Sequence, residues 1–350
     1  MSSTGEMLTL TYRAAIDHAI AEEMRRDPEV FLMGQMATGG GHFAAERGLS
    51  DEFGTQRVRN TTINEAFMAG CAVGAAVAGM KPIVNMGFGD FGLIAGDEIY
   101  QKLAKWRYMH GGKFIVSAVV ILPCGSLGGA GPEHSSSLEV FGMHSPGLKV
   151  VMPSTPADAK GLMKMAIRDP NPVLFHSVNM LSSVLGPVSD DPELLVPFGK
   201  AARRRTGNSI SVITYGSMVP LCLDAATRLA LDGIELEVID LRTLVPLDWE
   251  TIFESVSRTH RAMVVHEAVR TAGVGAEIAA RIQEEAFFDL ACPVARVAGK
   301  DTIRPQTARL EAYCIPCVDE IEQAARRLMS IQRERARTAL LGDSGGGAHA

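Results

Sequence analysis

The sequence has no apolar run able to cross a bilayer. Its longest wholly apolar stretches, such as residues 66–80, are too short and too rich in Gly and Ala. Nor does it have a long basic run. Lys and Arg number 34 against 40 Asp and Glu, a net charge of -6, which argues against a nucleic-acid partner. The start, MSSTGEMLTL, lacks the charged and apolar regions of a signal peptide, so a cytoplasmic chain with reduced thiols is expected, with no membrane association. Of six cysteines only Cys314 and Cys317 form a CxxC. A zinc site needs a second ligand pair, and this CxxC follows LEAY rather than opening a clear helix. It reads as two ordinary thiols. GxxxxGK[ST] and HExxH are both absent. GSLGGAG, residues 125–131, follows a strong strand but is not GxGxxG, and the PEHSSS after it opens no apolar helix. That stretch therefore gives a nucleotide-binding dehydrogenase no phosphate fingerprint.

What is present is ample apolar material in a long chain: 350 residues, 47% hydrophobic, enough for two domains. The first half alternates. An amphipathic helix is predicted over residues 7–26, a buried strand in VFLMG, a glycine-rich loop in GQMATGGGHF, and a helix from Thr61. Strands are predicted at KPIVNM, FIVSAVVIL (114–122), KVVMP and PVLFH. Residues 96–109 read as helical, and a second helix is capped at Ser154 or Thr155. This alternation predicts a mostly parallel sheet with helices on both faces. Residues 185–208 are polar and rich in Pro and Gly, and read as a linker between a domain over 7–184 and a smaller α/β domain over 209–331. The last predicted helix spans 318–329, and residues 332–350 read as a disordered tail.

TTINEAFMAGCAVGAAVAG, residues 61–79, holds one ionisable side chain, Glu65, at the mouth of an otherwise small and apolar helix. Such an acid either complements the helix dipole or is a catalytic acid in a dry pocket. His134 lies in the glycine-flanked loop beyond a strand's carboxyl end, where open α/β sheets bind ligands, yet a loop histidine can equally be solvated.

An ordered series of segments decides between these readings. DPEVFLMG, INEAFMAGCAVGAAVAGMKPIV, AKWRYMHGGK, EHSSSLEVFGMHSPGLKVVMPSTPADAKGLMKMAIRDPNPV, VIDLRTLVPLD, VVHEAVRTAGVGAEIAARIQEEAF and IPCVDEIEQAARR resemble the beta subunit of the thiamine diphosphate-dependent, decarboxylating first component of 2-oxo acid dehydrogenase complexes, such as pyruvate dehydrogenase. That subunit belongs to the transketolase-like group. The resemblance implies a pyrimidine-binding transketolase-like domain followed by a transketolase C-terminal domain. It also implies an alpha partner, in an α2β2 heterotetramer, that carries the diphosphate and Mg2+ site on a GDG and a distant Asn-Asn; this chain has no GDG. A lipoyl acyltransferase would take the acyl group from a small 2-oxo acid of pyruvate or branched-chain type. Within the same class stands an acetoin-cleaving dehydrogenase, and outside it a non-catalytic assembly subunit.

By the same match, Glu65 hydrogen-bonds the cofactor's pyrimidine N1′ and promotes loss of the thiazolium proton. Walled by Ile63, Phe67 and Met68, it would be desolvated and able to share or donate a proton. Phe91 would stack on the pyrimidine, with Ile63 and Gly87 beside it. His134 would sit at the substrate end of the pocket and orient substrate or assist proton transfer to the lipoyl sulfur. Ala118, Ala166, Ile167, Asp169 and Asn171 match a structural potassium site of some relatives, ligated mostly by backbone carbonyls. The chain also departs from the pattern. Relatives have acidic GED where Gly34, Gln35 and Met36 stand, Glu at Asn85 and Ser177, a larger apolar residue at Gly87, and Gln at Glu133.

Overall fold

A computed structural model describes residues 6–39 and 48–342. The end of the expected glycine-rich loop, from Gly40 on, and the last residues of the expected tail lie outside them. The chain divides into two units. The first gathers residues up to Ala201 together with Leu241–Asp248 and Thr302–Cys314; the second holds Ala202–Asp240, Trp249–Asp301 and the chain from Ile315.

The first unit opens with a departure from expectation. The predicted helix over 7–26 is a strand β1 (Met7–Thr11) and a helix α1 (Tyr12–Arg26). Thr11 makes the break: its hydroxyl accepts the Ala14 N–H at 3.1 Å and caps α1. Then come β2 (Val30–Gly34), the short α2 (Leu49–Phe53), β3 (Val58–Asn60), α3 (Glu65–Val77) and β4 (Lys81–Asn85). The helical stretch expected over 96–109 is a π-helical turn, Glu98–Leu103, continued as α4 (Ala104–Met109). β5 (Val119–Cys124) starts later than the apolar run predicted, α5 is Glu139–Met143, and β6 is Lys149–Val151. Helix α6 (Pro156–Arg168) takes Thr155 as its cap, as expected, and is followed by β7 (Val173–Val178). The region read as a linker contains β8 (Leu185–Ser189), which pairs antiparallel with β1, and β9 (Ala202–Arg205), which belongs to the second unit's sheet.

The second unit continues through β10 (Ile210–Thr214), α7 (Met218–Ala230) and β11 (Leu236–Asp240). The chain then returns to the first unit for β12 (Thr243–Val245), which the sequence did not reveal. Helix α8 (Trp249–Thr259), β13 (Ala262–Val269), α9 (Val274–Glu285) and β14 (Ala295–Gly299) follow. Helix α10 (Ala308–Cys314), also unpredicted, is again part of the first unit, and α11 (Val318–Gly342) ends the described chain. The first residues of the expected tail are therefore helical. No helix among the described residues is long and apolar enough to cross a membrane.

The first unit's main sheet has seven strands in the order β12-β6-β7-β5-β4-β2-β3, parallel except for β12 on β6. The central strands β2, β5 and β7 are buried along their whole length, as a parallel sheet covered on both faces requires. One face of α3, Met68, Ala69, Ala72, Val73 and Ala76, packs with Phe31, Val84, Val120 and Leu122 into a single core cluster. Small residues there let the helix approach the sheet closely. The second unit's sheet runs β14-β13-β10-β11-β9, with only β9 antiparallel. Both units are thus the mixed α/β, mostly parallel architecture the alternation predicted.

Candidate active site

Parallel α/β sheets present their functional loops at the carboxyl ends of the strands, and the expected residues of the first unit gather there. Strands β2, β4 and β5 are neighbours, with Gly34 opposite Asn85 and Asn85 opposite Ile121. Each is followed at once by part of the site: β2 by Gln35, β4 by the turn that carries Gly87 and Phe91, β5 by the loop that carries His134.

Glu65 is the first residue of α3. Asn64 caps the helix, its side-chain oxygen accepting the Phe67 N–H at 2.9 Å. The carboxylate is 3% exposed, and Gln35 Nε2 donates to its Oε1 at 3.1 Å. Oε2 takes no hydrogen bond among the described residues. The expected apolar wall is only partly there: Met68 is buried, but Ile63 is 79% and Phe67 57% exposed. Phe67 lies off the packed face of α3, and Ile63 precedes the helix cap.

Phe91 lies in a short 3-10 turn, Gly89–Leu93, laid against the end of β5. A Cβ at Gly89 would come within 3.0 Å of the Pro123 backbone carbonyl and one at Gly92 within 2.8 Å of Leu122 Cδ2, so glycine at both positions lets the turn lie this close to β5. The turn brings Phe91 and His134 edge to face, ring centroids 5.4 Å apart, with Phe88 against both at 5.4 and 4.3 Å. Gly87, buried in the left-handed region at φ 75°, donates its N–H to Asn85 Oδ1 at 3.0 Å. Asp90 fixes the turn to the histidine loop by accepting the Ser136 N–H at 3.2 Å. Phe91 and His134 are thus brought together, while Glu65 is held from the neighbouring strand end through Gln35.

The five residues matched to a potassium site lie at the start of β5 and the end of α6. The Ala118 carbonyl already accepts the Val173 N–H at 2.9 Å, and the Ala166 carbonyl the Asp169 N–H at 3.3 Å. Asp169 is buried and paired with the Lys149 ammonium. Its Oδ1 also accepts the Asn171 backbone and side-chain N–H at 2.9 and 3.0 Å. Lys149 already supplies the charge opposite Asp169, so a cation there would rest on backbone carbonyls.

With this geometry in hand, comparison with known proteins is decisive. Residues 9–180 match the transketolase pyrimidine-binding domain and residues 199–321 the transketolase C-terminal domain. The chain is 42% identical to the 2-oxoisovalerate dehydrogenase subunit beta of Bacillus subtilis, over 92% of this chain and 99% of that one. It is 41% identical to the pyruvate dehydrogenase E1 component subunit beta of Rhizobium meliloti, over 92% of this chain and 70% of the relative. The chain belongs to the transketolase-like 2-oxo acid dehydrogenase beta subunits. Among solved structures, a split-gene transketolase described as an inactive beta4 tetramer has the same fold, with a TM-score of 0.76 at 21% identity over 92% of this chain and 99% of that one.

Two residues of this beta subunit's site were not assigned a role from the sequence. Gln35 drew attention only as a departure from an acidic pattern. Asp90 carried no signal at all, because its partner Ser136 lies far away in the chain. The two CxxC cysteines are free thiols, Cys314 buried and Cys317 exposed, as expected.

Proposed function

We propose that this chain is the catalytic beta subunit of a thiamine diphosphate-dependent 2-oxo acid dehydrogenase, active with an alpha partner and acting on a small 2-oxo acid of pyruvate or branched-chain type. The observation that carries this reading is Glu65: a buried first-turn carboxylate, held at one oxygen by Gln35 and with no hydrogen bond from the described residues at the other. Such an acid suits the pyrimidine half of the cofactor, whose ring nitrogen needs a partner that can hold a proton. The half-buried Phe91 ring supplies a flat apolar surface for the same group. When bound, thiamine diphosphate supplies the carbanion chemistry by which a 2-oxo acid loses CO2.

The chain's own residues then have separable tasks. Glu65 holds the proton shared with pyrimidine N1′, and burial keeps water from competing for it. Gln35 fixes the orientation of that carboxylate. Phe91 positions the ring, and Phe88 and Phe91 aim the His134 imidazole, which orients the substrate and moves a proton at the acyl acceptor's sulfur. Mg2+ would be held with the cofactor's diphosphate by the alpha subunit. Without a GDG motif the chain has no diphosphate site of its own, which supports an alpha subunit that closes the other half. Met36, Ile63, Phe67, Leu93 and Ile94 are large apolar side chains left exposed around these strand ends, as a surface awaiting a partner would have. An α2β2 assembly and a lipoyl acyltransferase acceptor complete the reading.

The test is decarboxylation by the chain co-expressed with the GDG-bearing alpha partner, assayed on a panel of 2-oxo acids and on acetoin. Turnover of pyruvate or a branched-chain acid with reduction of a lipoyl acceptor supports the proposal. Turnover of acetoin alone moves the assignment to the acetoin-cleaving dehydrogenases, and no turnover with any of them, with the cofactor bound, leaves an assembly subunit.

A further inference from the structure

The loop between β5 and α5 has to deliver His134, yet it contains GSLGGAG, among the most pliable sequences in the chain. It closes on itself where the Gly125 N–H meets the Ser136 carbonyl at 3.0 Å. Between those ends it is gripped from α10. Glu311 is fully buried, and the backbone N–H groups of Leu127 and Gly129 donate to its Oε1 and Oε2 at 3.4 and 2.5 Å. The chain just before α10 presses on the same spot. Gly129 has φ 103°, and a Cβ there would lie 2.7 Å from the Gln306 carbonyl oxygen and 2.9 Å from the Ala308 nitrogen. Burial pushes the Glu311 pKa up, but the nearby Ser135 hydroxyl together with hydrogen bonds from the Gly129 amide, the Ser126 hydroxyl and the Leu127 amide outweighs it and holds the pKa below the usual carboxylate value. The group is a carboxylate anion whose partners are almost all members of the one loop.

We propose that Glu311 is a positioning residue for the reaction: a buried carboxylate, more than 170 residues away in sequence, that fixes the glycine loop and so sets where His134 stands at the substrate end of the site. The proposal rests on the function assigned to His134 above. An acceptor-only group is required, because both oxygens face N–H donors. In Glu311→Gln the amide nitrogen would oppose one of those N–H groups, so the loop would be released on one side while size and shape stay the same. Misplacing a reacting group by about 1 Å costs roughly 10²-fold.

The test compares Glu311→Gln, Gly129→Ala and His134→Ala in the α–β assembly, with circular dichroism for the fold. We expect Glu311→Gln to lower kcat by about 10–100-fold with KM little changed, and hydrogen–deuterium exchange at the cofactor's thiazolium carbon to stay at the wild-type rate, since Glu65 is untouched. Added to His134→Ala, Glu311→Gln should cost almost nothing more, because the group it places is already gone. A wild-type kcat, or an equal further loss in the His134→Ala background, would overturn the proposal. Amide hydrogen exchange of residues 127–131 reads the clamp without any activity: faster exchange in Glu311→Gln and Gly129→Ala is expected, and unchanged protection contradicts it. If the wild-type assembly proves inactive on every acid, it is the assigned function that fails, and this exchange still decides the clamp.

Discussion

The Gln35 amide donates to Glu65 Oε1 at 3.1 Å, both side chains buried, across 30 residues of sequence. A neutral donor on a carboxylate orients it without competing for its proton. A hydrogen bond to a charged group contributes about 1.5–3 kcal/mol. Gln35→Leu should therefore slow exchange of the thiazolium proton by roughly 10–100-fold in the assembled enzyme, with cofactor still bound. Exchange at the wild-type rate would make the bond structural only.

His176 predicts how stability depends on pH. It sits on β7 at 2% exposure, neither ring nitrogen has a hydrogen-bond partner among the described residues, and burial pushes its pKa down to about 4 from an ordinary 6.5. Between those values the unfolded chain binds the proton and the folded chain does not. The stabilisation is full above pH 6.5 and is lost as pH falls towards 4, by on the order of 3 kcal/mol. His266 behaves alike, its pKa also pushed down to about 4 by burial. Urea midpoints measured from pH 7.5 to 4.5 should fall steadily, and the fall should be smaller in His176→Gln. An equal fall in both proteins would show that His176 is not the proton acceptor.

Much of this was legible in the sequence because it is written locally. The alternation of strands and helices, the α6 cap at Thr155 and the first-turn acid Glu65 need only a few neighbouring residues to be seen. What failed depended on distant partners. MLTLT reads as the start of α1 until LGPVS is known to pair with it, and TLV becomes a strand only because β6 has a free edge. Gln35 and Glu311 are the same case at the site, since their partners lie 30 and 182 residues away. The wall expected around Glu65 erred for another reason: helical spacing says which residues share a face, not which face the core takes.

The division of labour between subunits predicts that this chain alone holds the cofactor poorly. Isothermal titration of the single chain with thiamine diphosphate and Mg2+ should give weak or no binding, and the co-expressed pair should bind tightly. Mass measurement of that pair should give α2β2. Tight binding by the single chain, or a stable one-to-one pair, would contradict this division.

The central claim is that Glu65 holds the proton at N1′ of the bound cofactor rather than merely complementing the dipole of α3. Glu65→Gln keeps the size of the side chain and its contact with Gln35 but cannot trade that proton. The direct measurement is hydrogen–deuterium exchange at the thiazolium carbon in the reconstituted assembly, with circular dichroism to verify the fold. Loss of about 10²–10⁴-fold in the exchange rate is predicted, while His134→Ala exchanges at nearly the wild-type rate. Exchange at the wild-type rate in Glu65→Gln would contradict the account and leave Glu65 a helix-start acid.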